Sequence, residues 1–180
     1  MAMAEHSMIE DSSTRLEARV LLPDRQEQIL VFARSLLAQT VEDPMDREMQ
    51  SWNARWRQEA LEHYLPLGWS FGAFETETET DTETGIDIDT EAEQSLRGVV
   101  LAQPLLFFRG LTQTLWVEHF SFTTPRAGVL LLETLYAWAR DKHLQCVLME
   151  DEPGVKALLA SWKQARLVDS GLIEWRTSRY

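Results

Sequence analysis

Gly68, Trp69, Ser70, Phe71 and Gly72 spell G-x-S-x-G, and His119, His143 and several aspartates follow downstream. That motif makes a nucleophile only where a strand enters the serine and a helix leaves it, so that the hydroxyl stands on a sharp turn. Here the flanks run the other way. A helical apolar pattern ends before Pro66, and the residues after Ala73 are not helical. The two glycines therefore read as punctuation at the start of a strand, and serine-hydrolase chemistry is a remote alternative.

Glu118 and His119 form the second constellation. A carboxylate partly withdrawn from water between strands has a raised pKa and can accept a proton from an amine, directly or through a water. Glu118 is the candidate base on that ground. The competing reading turns it to solvent or pairs it with an arginine. Neighbours in a regular strand point to opposite faces, so Glu118 and His119 are not expected to line one site. No His or Cys spacing resembles a zinc site, no G-x-G-x-x-G or Walker sequence occurs, and the acidic run lacks the turn spacing of a calcium loop. No metal is expected.

The elements that must position Glu118 lie between Leu115 and Met149. Leu115 to Phe122 reads as a strand, Thr123 to Arg126 as a turn, the following residues to about Lys142 as a helix, and Leu144 to Met149 as a strand. The helix rests on Leu131, Leu132, Leu135, Tyr136, Trp138 and Ala139, which recur at helical intervals. Thr124 suits its N-cap, Pro125 its first position, and Arg140 and Lys142 the negative end of its dipole. Such a crossover sets the helix N-terminus beside the carboxyl end of the first strand, where an anionic cofactor would bind.

Around this unit the chain reads in order as follows. Residues 1–14 are a polar, flexible tail, and 15–180 form one domain. A strand runs from Arg15 to Leu22, and Pro23 with Asp24 opens a helix in which Asp24 and Glu27 have capping-box spacing. A second helix spans about Met45 to Leu65, with Met45, Met49, Trp52, Trp56 and Ala60 as its core stripe. Trp69 to Phe74 is a strand, Glu75 to Glu93 a solvated, mobile acidic hairpin loop, and Leu96 to Phe108 a strand bent or at an edge where Pro104 falls. Pro153 opens a last helix, and Leu167 to Trp175 is a last strand. The order, strand, two helices, three strands, helix, strand, helix, strand, places the chain in the α/β class (α+β mixed sheet).

The formal net charge is −12, but Glu75 to Glu93 holds nine acids and no base, and removing those nine charges leaves −3 for the rest. No basic stripe is present, so neither nucleic acid nor an anionic membrane surface is an expected partner. The N-terminal residues lack the basic start and apolar run of a signal peptide, and no apolar run approaches the ~20 residues of a membrane span. Cytoplasmic residence is the expectation. Cys146, the single cysteine, lies in an apolar run and reads as core.

The element order, with Leu131 to Arg140 and the following strand Leu144 to Met149, resembles the GNAT superfamily of N-acetyltransferases over about Arg15 to Arg176. Trp162-Lys163-Gln164-Ala165-Arg166-Leu167 is similar to a changed version of that family's Tyr-x-x-x-Gly-Phe segment. The resemblance implies two neighbouring parallel strands that splay apart to receive acetyl-CoA or another acyl-CoA. It further implies transfer of an acyl group to a small-molecule or peptide amine, in which a neutral amine attacks the thioester directly. The cofactor would lie against Phe120 and Phe122, whose backbone amides would hold the acyl carbonyl, and against Arg126, Ala127, Gly128 and Val129 at the helix N-terminus. The family's pyrophosphate loop falls on Thr123 to Gly128, where Gly128 alone matches, and its thiolate-protonating tyrosine falls on Trp162. These departures leave a catalytically inactive binding or regulatory module as the alternative, with an acidic chaperone-like protein more remote. A homodimer is one assembly open to such a domain.

Overall fold

In a computed structural model of the chain, residues 14–77, 94–107, 110, 113–159, 162, 165–169 and 171–177 are described. Strand β1 (Thr14–Val20) leads through a short 3-10 turn (Pro23–Arg25) into helix α1 (Gln26–Thr40). Helices α2 (Pro44–Asn53) and α3 (Gln58–Tyr64) follow, then strands β2 (Phe71–Glu77), β3 (Ser95–Leu106) and β4 (Gln113–Phe122). Helix α4 (Pro125–Asp141), strand β5 (Cys146–Glu150), helix α5 (Pro153–Leu159) and strands β6 (Ala165–Asp169) and β7 (Leu172–Arg176) complete the order. The strands form one sheet in the order β1-β2-β3-β4-β5-β7-β6, in which only β4 and β5 run parallel.

The sheet is packed on both faces, and strand alternation decides which residue goes where. Val99 and Leu101 of β3 join Ile29, Leu30, Phe32 and Ala33 of α1 and Leu61 of α3. Val100 and Ala102 face the other way, onto Leu131, Leu132, Leu135 and Ala139 of α4. Leu131, Leu132 and Leu135 are fully buried, and each such side chain contributes about 1.5–3 kcal/mol. Helix α4 begins as its sequence demands, with Pro125 in the first turn and the Thr124 hydroxyl accepting from the Ala127 amide at 3.3 Å. Cys146 is buried in the sheet, where burial pushes its thiol up.

Four expectations are corrected. The long second helix is two, because Ala54 and Arg57 are extended and interrupt it. The break leaves Met45, Met49 and Trp52 exposed at 59% or more, so the apolar stripe is core only from Trp56 onward. Asp24 lies in the 3-10 turn, and α1 starts without a side-chain cap, so the capping box does not form. The final strand is a hairpin, β6 and β7, turned at Gly171, whose φ of 86° suits only glycine at low cost. Of the acidic stretch, Glu75 belongs to β2 and pairs with Arg97 at 2.6 Å, while the mobile loop expected beyond Glu77 lies outside the described residues. Among the described residues no helix is long and apolar enough to cross a membrane.

Pro104 keeps its expected edge. β3 pairs with β2 only as far as Val100, so among the described residues Pro104 has β4 as its one strand neighbour, opposite Leu115. A residue without an N–H fits there because no bond is asked of it on the open side.

Candidate functional site

The parallel ladder between β4 and β5 is short. It joins Thr114 to Cys146, Leu115 to Val147 and Trp116 to Leu148, and there it stops. β4 continues to Phe122, whereas β5 stays with β7 through Glu150. The two strands therefore diverge, and among the described residues the edge of β4 from Val117 onward has no strand partner on the β5 side.

At the same point β4 is bulged. Leu101 of β3 faces His119 and Ala102 faces Val117, so Glu118 is an extra residue on β4. Leu115 and Val117 before it, and Phe120 and Phe122 after it, all pack on the α4 face. The parity of the strand changes across Glu118, as a bulge requires. The rule of opposite faces consequently fails here, and Glu118 and His119 border one cleft with Val117, Phe120, Met149, Glu150, Glu152 and Val155.

Glu118 is the anchored group of that cleft. One carboxylate oxygen accepts from Arg55 Nη1 at 3.0 Å, the other from Gln103 Nε2 at 2.5 Å. The Tyr64 phenol also hydrogen-bonds it, and burial, then the charge of Glu118, hold that phenol above its ordinary range and protonated. Arg55 extends its second nitrogen to Glu150 at 2.6 Å. Glu118 is thus paired with an arginine at the mouth of the divergence. His119 is pushed down to about 4, first by burial and then by the Arg55 charge, so its ring is neutral at pH 7, with Nε2 3.0 Å from Ser121 Oγ. Burial, then the neighbouring Glu150 charge, raise Glu152.

Arg55, Tyr64 and Gln103 were not singled out by sequence. Arg55 sits in the link between α2 and α3, which periodicity reads as continuous helix, so no local signal marks it.

The predicted cofactor residues separate into two groups. Phe120 lines the cleft, and Phe122 lies beside it with ring centroids 5.2 Å apart. Arg126 is exposed in the first turn of α4, and Val129 is half-buried. Ala127 and Gly128 are buried, the Ala127 amide bonded to the Thr124 hydroxyl and the Gly128 amide to the Thr124 carbonyl at 3.1 Å. Pro125 has no N–H, so of residues 125–128 only the Arg126 amide is left by Thr124 for an anion. At Gly128 a Cβ would come within 2.6 Å of Leu158 and 3.1 Å of Phe122, so the glycine admits side chains from α5 and β4.

An acyl-CoA thus fits unequally. The unpaired β4 edge suits its acyl end, but the cleft beside it is narrow, about 10 Å³, the space of roughly one water. Phosphates would meet Arg126 and its amide, outside the corner that Phe122 and Leu158 fill. Trp162, at the position of the family's tyrosine, packs on Trp175 at 4.0 Å, with Tyr136 stacked at 4.3 Å. An indole N–H does not titrate near neutrality, so this side chain serves packing. Ser70 is fully buried, with its hydroxyl 3.4 Å from the Ala102 amide, and it precedes a strand with no helix after it. That arrangement is no nucleophile elbow. A larger hollow of about 510 Å³, lined by Leu30, Arg34, Trp52, Trp56 and Arg57 among others, shares no residue with the cleft.

No family model matches the sequence, and no curated protein is similar to it. Solved structures are. A GCN5-related N-acetyltransferase from Ralstonia eutropha JMP134 superposes with a TM-score of 0.57 at 11% identity, covering 87% of this chain and 97% of that one. A Drosophila melanogaster polyamine N-acetyltransferase, which forms N-acetylagmatine, gives 0.54 at 16% identity over 86% and 85%. The NatC complex bound to Gag peptide and CoA gives 0.53 at 11% over 90% and 98%. Identities this low carry architecture and no more, and the fold of this chain is that of the GNAT N-acetyltransferases.

Proposed function

We propose that this chain is an acyl-CoA-dependent N-acyltransferase that moves an acetyl or other acyl group to an amine on a small molecule or peptide. One observation carries the reading: the end of the parallel ladder, the bulge and an inward carboxylate coincide at Glu118. A bound acyl-CoA supplies the activated acyl carbon. The free edge of β4 at Phe120 and Phe122 offers backbone groups to the acyl carbonyl, and Arg126 with its amide meets the phosphates. Glu118 takes a proton from the acceptor's ammonium, leaving the neutral amine that can attack. Tyr64 and Gln103 orient the carboxylate. The GNAT fold, and its use by a polyamine acetyltransferase and by a CoA-bound complex, support this assignment.

Calorimetry with acetyl-CoA and longer acyl-CoAs tests binding, and release of free thiol with a panel of amines tests turnover. Heat followed by thiol release is the expected result. Absence of heat and of any thermal shift with every acyl-CoA would overturn the proposal and leave the inactive module.

A further inference from the structure

Arg55 belongs to no helix or strand. It stands in the link between α2 and α3, yet one guanidinium nitrogen reaches Glu118 on β4 and the other reaches Glu150 at the end of β5. Those two strands have parted by then, so a single cation ties them across the opening. The Arg55 side chain is 41% exposed while that of Glu118 is 12% exposed. The cation therefore enters from solvent onto an inner carboxylate. The cleft is otherwise lined by Val117, His119, Phe120, Met149, Glu152 and Val155 and leaves about 10 Å³, so a free cation needs the space that the Arg55 head vacates.

We propose that Arg55 is a positioning residue that occupies the place of the acceptor's cationic head, so that an alkylammonium or alkylguanidinium must displace it to reach Glu118. The identity of that cation as an acceptor rests on the acyltransferase reading; the displacement itself does not. A carboxylate as enclosed as Glu118 needs a partner cation, and stripping the partner leaves a poorly solvated charge that a free cation can neutralise. A tethered head competes as though present at about millimolar concentration, so the native chain binds free cations weakly. Substituting Arg55 removes the competitor and keeps both carboxylates.

The test titrates butylguanidinium and 1,4-diaminobutane into the full chain by calorimetry. Arg55→Gln is expected to bind at least roughly tenfold more tightly than wild type. Arg55→Lys should stay near wild type, and Arg55→Gln combined with Glu118→Gln should lose the gain. A merely structural arginine would give no tighter binding on removal, so equal or weaker binding by folded Arg55→Gln overturns the proposal. Should that variant not fold, the Arg55 Nε–H resonance of the wild-type chain decides: displacement on adding butylguanidinium supports the exchange, and an unmoved resonance at saturating ligand refutes it. An acetyl-CoA thermal shift run beside these titrations separates the two readings. Acetyl-CoA binding without a cation gain sinks the role of Arg55 alone, whereas a cation gain without CoA binding keeps that role and sinks the transferase.

Discussion

His119 makes the stability of this fold depend on pH in a direction that can be worked out beforehand. Its folded value is pushed down to about 4 from an ordinary 6.5, first by burial and then by Arg55. Between those values the unfolded chain binds the proton and the folded chain does not, so stability is full above pH 6.5 and falls as the pH drops toward 4. From 6.5 to about 4, at about 1.4 kcal/mol per pH unit, the full loss is about 3 kcal/mol. About 2 kcal/mol of it should be gone by about pH 5. The assay is urea unfolding of wild type and His119→Gln at about pH 7, 6 and 5. Gln can still bond Ser121 but carries no proton equilibrium. The wild-type curve should steepen relative to the variant as pH falls. Parallel curves, or an imidazole resonance titrating near 6.5, would refute the claim that this ring is held neutral.

Glu118→Gln keeps the size of the side chain but neither its charge nor its basicity, and thiol release with a cationic amine should fall roughly 10²- to 10⁴-fold in kcat with little change in acyl-CoA binding; an unchanged kcat would remove Glu118 from the chemistry. Leu131→Ala empties a fully buried position between α4 and the sheet and should cost about 2–5 kcal/mol in chemical denaturation. Thr124→Ala deletes the cap at 3.3 Å and should cost about 0.5–1 kcal/mol, measurable in the same assay. Native Cys146 should resist alkylation by a charged reagent until the chain unfolds, since the thiol is buried and raised.

The unit from Leu115 to Met149 was readable because its signals are local and agree. Thr124 and Pro125 mark a helix start, the leucines repeat at helical spacing, and apolar runs flank it on both sides. Met45, Met49 and Trp52 misled because periodicity reports a face without saying what covers it, and the break after Asn53 turned that face outward. β6 and β7 merged into one expected strand because both are apolar and only Gly171 separates them clearly. At the candidate site Glu118 was legible as an acid within an apolar strand. Its partners Arg55, Tyr64 and Gln103 come from the α2–α3 link, α3 and β3, and no spacing rule joins residues so far apart. The bulge was hidden for a related reason: it is a mismatch of register between two strands, visible in neither one alone.

Pro104 has a consequence for how copies of this chain behave at high concentration. The far half of β3 projects past β2 with Leu106 and Phe107 exposed at its tip, the kind of sticky open margin on which a second molecule can lay down a strand and start a fibre. A missing donor midway along that margin interrupts such a template, so Pro104→Val would keep the native pairing to β4 while inviting self-association.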